Sequence, residues 1–249
     1  MKLQEFPKKD LIPQIEFEIL LSSILKKDRS FINAYPETDL TSEQAEMLSE
    51  MLEKRRTGAP IPYILGYKEF YGRKFFVNKN VLIPRPETED LVEKVLKFTS
   101  GKNLSVIDVG TGSGCIAITL KLEKSELKVF ASDIDPRALE VARKNAVLYK
   151  LDGKISFLES NLLKKLDSEV DVIVANLPYI PTNNWEQLPK EIKDFEPRVA
   201  LDSGLSKESL YQELFNQAKN RLKKDGIIFY EIDGDIFRKD FPTLVAEGY

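Results

Sequence analysis

One stretch constrains the fold of this chain more than any other: Val170-Asp171-Val172-Ile173-Val174-Ala175-Asn176-Leu177-Pro178-Tyr179. Its opening run is apolar and β-branched, interrupted only by Asp171, as in a strand covered on both faces of a parallel sheet. Pro178 has no N–H for a ladder and biases Leu177 away from helix, so the strand stops there. A parallel sheet needs helices as crossovers, and in such open sheets ligands bind at the carboxyl ends of the strands. Asn176 stands at that end, three residues before an aromatic ring.

The flanking sequence supplies the rest of such a sheet. Ser105–Val109 reads as a strand, followed by Gly110-Thr111-Gly112-Ser113-Gly114 and a helix from Cys115. Lys128–Ser132 is the next strand, ending at Asp133. Asp135-Pro136 has the form of an N-cap and first helical residue, and Leu139, Ala142 and Ala146 continue that helix. Ile155–Leu158 is a third strand and the Val170 run a fourth. A helix through Leu210, Leu214, Ala218 and Leu222 precedes a fifth strand, Ile227–Ile232. The expected class is a doubly wound, Rossmann-like α/β sheet.

Upstream, residues 11 to 58 are helical in pattern, with Ile15, Ile19, Leu20 and Ile24 at helical spacing. Thr41 followed by Gln44 has the form of a capping box, Ala45, Leu48 and Leu52 continue one apolar face, and Arg55, Arg56 and Gly58 close the helix. Phe75–Val77 and Val81–Ile83 suggest a hairpin with Asn78-Lys79-Asn80 at its tip, ended by Pro84-Arg85-Pro86. Glu87, Glu89 and Asp90 then open an amphipathic helix with acids in its first turn. The expected division is a small helical domain over 1–62, a linking hairpin over 63–86 and the α/β domain over 87–249.

Composition narrows the chemistry. The 249 residues include no histidine and a single cysteine, Cys115. That excludes Ser-His and Cys-His nucleophilic machinery, a disulfide framework and thiolate metal clusters; no metal site is expected. The net charge of -3 gives no global basic footprint for nucleic acid. With no secretory h-region and no 18-residue apolar run, a soluble, cytoplasmic protein without membrane contact is expected.

Two places carry chemistry. Glycines between a strand and a helix let backbone approach a ligand closely, and Asp133 at the next strand end is placed to accept hydrogen bonds from two ribose hydroxyls. The spacing is not the dinucleotide G-x-G-x-x-G, and no Lys-Ser/Thr pair follows to make a triphosphate loop. A tight turn without a ligand, and a simple strand-end role for Asp108, remain open on the residues alone. At Asn176, the side-chain oxygen and the neighbouring backbone carbonyl can both accept from one planar NH₂ group, with Tyr179 against its flat face. An ordinary Asn-Pro turn ending a strand is the bland alternative.

These residues resemble a known family. The Gly110–Gly114 loop with Asp133 is similar to class I S-adenosylmethionine-dependent methyltransferases, and Asn176-Leu177-Pro178-Tyr179 to their Asn-Pro-Pro-Tyr motif for planar nitrogens. The string Tyr63-Ile64-Leu65-Gly66, Glu69-Phe70-Tyr71-Gly72, Ile83-Pro84-Arg85-Pro86-Glu87-Thr88-Glu89, Phe195-Glu196-Pro197, Ala200-Leu201 and Glu231-Ile232 resembles the HemK/PrmC family. Those enzymes methylate the side-chain amide of the glutamine in the Gly-Gly-Gln loop of peptide chain release factors.

The resemblance implies that Gly110, Thr111, Gly112, Ser113 and Gly114 surround the methionine part of S-adenosylmethionine. Asp133 then holds the ribose, and Asn161 and Leu162 border the adenine. Asn176 and the Leu177 carbonyl grip the glutamine NH₂, with Pro178 and Tyr179 completing the catalytic and substrate-binding wall and Asn176 also facing the cofactor. Arg85 and Thr88 are expected toward the methionine end. An amide nitrogen is a poor nucleophile; two fixed acceptors can orient its lone pair for transfer, and the proton leaves afterwards. The implied partner is a release factor, acted on by a monomer without direct nucleic acid binding.

The sequence departs from the family pattern twice. Leu177 replaces the first proline of the motif, a form also seen in enzymes resembling ribosomal RNA adenine dimethyltransferases, so adenine-N6 methylation of RNA or DNA is the alternative. A glutamine of a ribosomal protein and a cofactor-binding protein without turnover are further readings. The sequence ends soon after the fifth strand, where the family continues with a helix and two strands; the final hairpin is expected to be missing, leaving a bare sheet edge unless something else covers it.

Overall fold

The computed structural model describes residues 2, 6 and 12–240, and its chain divides into two compact units. The first unit takes in 1–66 together with 189–195. Its helices are α1 (Gln14–Leu25), α2 (Arg29–Ala34), α3 (Ser42–Arg56) and α4 (Ile61–Leu65). Local chemistry fixes their ends. Asp28 accepts from the Phe31 N–H to cap α2, and Thr41 and Gln44 form a complete reciprocal capping box on α3. Phe17, Leu20 and Leu21 of α1, Ile32 of α2 and Leu48 and Leu52 of α3 bury one shared core. Arg55 near the end of α3 grips Glu16 of α1 through two hydrogen bonds of 2.6 and 2.8 Å.

The second unit opens with β1 (Tyr67–Phe70) and β2 (Arg73–Phe76), then α5 (Glu87–Phe98), β3 (Ser105–Val109), α6 (Cys115–Glu123) and β4 (Lys128–Asp133). It continues with α7 (Pro136–Leu148), β5 (Ile155–Glu159), β6 (Val170–Ala175) and β7 (Ile180–Pro181). After a 3₁₀ turn and α8 (Lys190–Phe195, part of the first unit) come β8 (Asp202–Gly204), α9 (Ser209–Ala218), β9 (Leu222–Ile232) and β10 (Asp235–Asp240). Six strands form one sheet in the order β10-β9-β6-β3-β4-β5, parallel except for β10. This is the α/β architecture expected from the strand–helix alternation.

The Val170 run behaves as its composition requires. Val172 and Val174 pack into the core on one face of the sheet; Ile173 and Ala175 pack on the other, with the period of two of a strand. Leu91, Val92 and Val95 of α5 and Ile116 of α6 cover the first face. Tyr211, Leu214 and Ala218 of α9 cover the second.

Three expectations are corrected. The hairpin tip is Tyr71-Gly72, not Asn78-Lys79-Asn80: Phe70 pairs with Arg73, and both turn residues have positive φ, 51° and 67°. Gly72 supplies that two-residue turn, while Asn78 makes a separate turn by accepting from the Asn80 N–H at 2.9 Å. The helix expected through Leu222 stops at Ala218, and Leu222 begins β9. Finally, the edge of β9 is not bare. Asp233-Gly234 (φ 58° and 85°) turn the chain back, and β10 pairs with β9 from Ile227 to Ile232.

Candidate active site

The strand ends converge on a cleft of about 230 Å³ in the second unit. Gly110 and Gly112 after β3, Asp133 at the end of β4, Asn161 and Leu162 after β5, and Asn176, Leu177 and Pro178 after β6 all line it. These residues are far apart in sequence and adjacent in space because parallel strands put their carboxyl ends on one edge.

The glycine loop is pinned from both sides. The N–H groups of Gly110 and Thr111 both donate to the Ser132 carbonyl, at 2.8 and 2.9 Å. Asp133 accepts from the Gly112 N–H at 2.9 Å through Oδ2 and from the Asp135 N–H at 3.0 Å through Oδ1. Burial pushes the Asp133 carboxyl above its usual range, with the Asp135 charge adding to the shift. A carboxylate has about four lone-pair sites, so two accepted N–H groups leave capacity for two hydroxyls.

Thr111, Ser113 and Gly114 do not line the cleft; they hold the loop. Thr111 Oγ1 donates to Asp108 Oδ2 at 2.6 Å, and the same oxygen accepts from the Ala117 N–H at 3.2 Å. Asp108 thereby ties the end of β3 to the loop and to the first turn of α6. Its complete burial, with the Asp133 charge nearby, pushes its carboxyl up to about 7. The Ser113 carbonyl accepts from Asn145 Nδ2 at 2.8 Å. A Cβ on Gly114 (φ 81°) would stand 3.1 Å from the Ala142 Cβ, so only glycine lets α6 and α7 approach this closely. Leu162, on the cleft wall, holds a left-handed φ of 54°, a conformation disfavoured for leucine and found where structure around it over-determines the backbone.

At Asn176 the side-chain Nδ2 donates to Thr88 Oγ1 at 2.9 Å. Thr88 is buried in the first turn of α5, behind Asn176, and does not line the cleft as expected for the methionine end. Arg85 also lies elsewhere: it pairs at 2.5 Å with buried Glu196, which accepts the Ile83 N–H through its other oxygen at 3.1 Å. Tyr179 is half-buried and not part of the cleft wall. Burial raises its hydroxyl, and the charges that bear on it are Glu231, Asp233 and Glu87 against Arg85. Leu177 N–H donates to the Tyr211 hydroxyl at 2.8 Å, and that hydroxyl donates to the Glu231 carbonyl at 2.5 Å.

Sequence reading missed Tyr211 and Asn145. Asn145 is fully buried and makes three side-chain hydrogen bonds, accepting from the Phe76 N–H and donating to the Phe76 and Ser113 carbonyls. A polar residue among the buried positions of α7 was its only sequence signal. Val199, Leu82 and Ile134 also line the cleft and carried no motif, while Ala200 lines it from the Ala200-Leu201 string.

The cleft at these strand ends fits S-adenosylmethionine, and the fold with this cleft defines a class I methyltransferase. Residues 87–195 match the family model described as ribosomal protein L11 methyltransferase (PrmA), and residues 7–66 the PrmC N-terminal domain. The release factor glutamine methyltransferase of Bacillus cereus is 39% identical over 86% of this chain and 78% of its own length. That of Leptospira interrogans is 39% identical over 100% and 89%. The chain belongs to the release factor glutamine methyltransferase family, as the HemK/PrmC motifs implied. Among solved structures, the hMettl16 catalytic domain in complex with MAT2A 3'UTR hairpin 6 shares the fold, with TM-score 0.53 and 15% identity over 76% of this chain and 67% of that one. Among the described residues no helix is long and apolar enough to cross a membrane.

Proposed function

We propose that this chain methylates the side-chain amide nitrogen of the glutamine in the Gly-Gly-Gln loop of a release factor, with S-adenosylmethionine as methyl donor. The observation that carries this reading is the state of Asn176. Its Nδ2 is engaged by Thr88, so the amide oxygen is the atom left to face a substrate. Paired with the Leu177 carbonyl, it makes a two-acceptor site suited to a planar NH₂.

Gly110, Gly112 and Asp133 hold the cofactor, Asn161 and Leu162 border its base, and Thr111, Ser113 and Gly114 keep the loop in shape. The bound cofactor supplies an electrophilic methyl group. Asn176 Oδ1 and the Leu177 carbonyl fix the amide NH₂ so that its lone pair is turned out of conjugation and toward the donor side of the cleft. Positioning and charge complementarity of this kind supply several kcal/mol of a barrier. Tyr179, three residues beyond Asn176, is the ring available to pack beside the substrate. No base is required, because the nitrogen becomes strongly acidic once alkylated.

Adenine offers the same NH₂ chemistry. The carboxylates around Tyr179 favour a protein substrate, since they repel a phosphate backbone. Residues 1–62 are the part we assign to substrate recognition, and 63–86 to the link.

Purified chain, labelled donor and a release factor test the reading. Label is expected on the loop glutamine, lost when that glutamine is changed and reduced on the order of 10²-fold in Asn176→Ala. Label on RNA instead supports the adenine reading. No label on any acceptor, with donor still bound in calorimetry, overturns both.

A further inference from the structure

Asparagine has two amide orientations of nearly equal shape, and only one presents oxygen to the cleft. Something must choose between them. Thr88 cannot do so alone: a hydroxyl donates or accepts, and so tolerates either orientation. The discriminating group must be one that accepts and never donates.

Such a group lies alongside. The parallel register pairs Ala175 with Tyr230, which puts Asn176 and Glu231 side by side at the ends of β6 and β9. Glu231 is 2% exposed, and Thr88 and Asn176 are the side chains that favour its charged form. Three groups can therefore close one circuit. Asn176 Nδ2 donates to Thr88 Oγ1 at 2.9 Å, which leaves the Thr88 hydroxyl hydrogen and the second Asn176 amide hydrogen for the neighbouring carboxylate. In the reversed orientation, Asn176 Oδ1 would face a carboxylate, acceptor against acceptor. Glu231 Oε2 has no hydrogen-bond partner among the described residues, an unusual state for a buried oxygen and one that a purely structural carboxylate does not call for.

We propose that Glu231 is a positioning residue for the methyl transfer, locking the Asn176 amide through itself and Thr88 with Oδ1 toward the substrate. This rests on the function proposed above. The polarity of the circuit depends on the carboxylate being ionised. The groups that bear on its charge are Glu87 and Asp90 of α5, Tyr179 after β6, and Tyr211 of α9. Burial, then the two neighbouring acids, raise its proton affinity, while Thr88 and Asn176 lower it.

Glu231→Gln keeps the shape and removes the discrimination, because a glutamine amide can rotate to satisfy Asn176 in either orientation. With a release factor as acceptor, kcat is expected to fall about tenfold or more, the loss of one charge-assisted hydrogen bond, while donor affinity stays within about twofold. Wild type should lose kcat on the acid side as Glu231 protonates, and this limb should be missing from Glu231→Gln. Thr88→Ser should retain most of the rate that Thr88→Val loses. On the protein alone, both Asn176 side-chain amide hydrogens, followed by NMR, should exchange with water about tenfold faster in Glu231→Gln. Unchanged exchange, or unchanged kcat in Glu231→Gln while Asn176→Ala is inactive, overturns the proposal and leaves the glutamine methyltransferase reading standing. Failure of wild type to label a release factor overturns that reading instead, and the exchange measurement still decides the role of Glu231.

Discussion

The Leu177 N–H is held by the Tyr211 hydroxyl at 2.8 Å, so a side chain on α9 sets the plane of the peptide that leads into the carbonyl proposed to grip the substrate. The same hydroxyl donates to the Glu231 carbonyl, which makes Tyr211 a strut between β6 and β9. Both bonds are buried. Tyr211→Phe should leave a buried N–H and a buried carbonyl unpaired, costing about 1–3 kcal/mol in urea unfolding. Methyl transfer should fall while donor binding in calorimetry changes little.

The glycines of the loop should not respond alike to alanine. Gly110 (φ 74°) would bring a Cβ to 2.9 Å from Leu177 Cδ2, whereas Gly112 (φ 54°) would meet nothing within 4 Å. Each alanine carries a left-handed strain of roughly 1–2 kcal/mol. Gly110→Ala should in addition displace Leu177, so its kcat should fall well below that of Gly112→Ala. Equal kcat in the two variants would count against the contact.

Asp108 gives a pH signature. Its folded-state pKa is about 7, raised by burial above the ordinary 3.8. A raised carboxyl contributes stability that is fully present below the unfolded value and lost as pH climbs through the folded one. The wild-type urea midpoint, relative to that of Asp108→Asn, should therefore decline between about pH 4 and 7. Asp135, Asp171 and Asp202, which are lowered, work in the opposite sense, but they are common to both proteins and cancel in the difference.

Cys115 should be inert. It is buried at the start of α6, and burial pushes its thiol up to about 12. Thiol reagents at pH 8 should leave the folded protein unlabelled and methyl transfer intact, and should label it only in denaturant. Rapid labelling of the native chain would contradict this environment.

The five parallel strands were legible from their apolar runs, and the glycine loop and Asp133 from their place at strand ends; the edge strand β10 was not. Asn176 was legible for the same reason. Tyr211 and Asn145 were not. Their roles come from hydrogen bonds spanning 34 and 69 residues, to Leu177 and to Phe76, and no local pattern encodes a partner so distant. The hairpin tip failed by turn chemistry: Asn78-Lys79-Asn80 has good turn residues, but Tyr71-Gly72 delivers the two positive φ values a two-residue hairpin needs. The partners of Arg85 and Thr88 were not legible either, because sequence does not show that Glu196 and Asn176 take up their polar atoms.

In the role proposed for Asn176, its inward-turned NH₂ also decides what the site refuses. A pocket presenting oxygen at both contacts welcomes a side chain that ends in nitrogen and repels one that ends in two oxygens. Glutamine and glutamate differ by that atom alone. A release factor whose loop glutamine has deamidated would meet lone pair against lone pair, and the enzyme would leave it untouched.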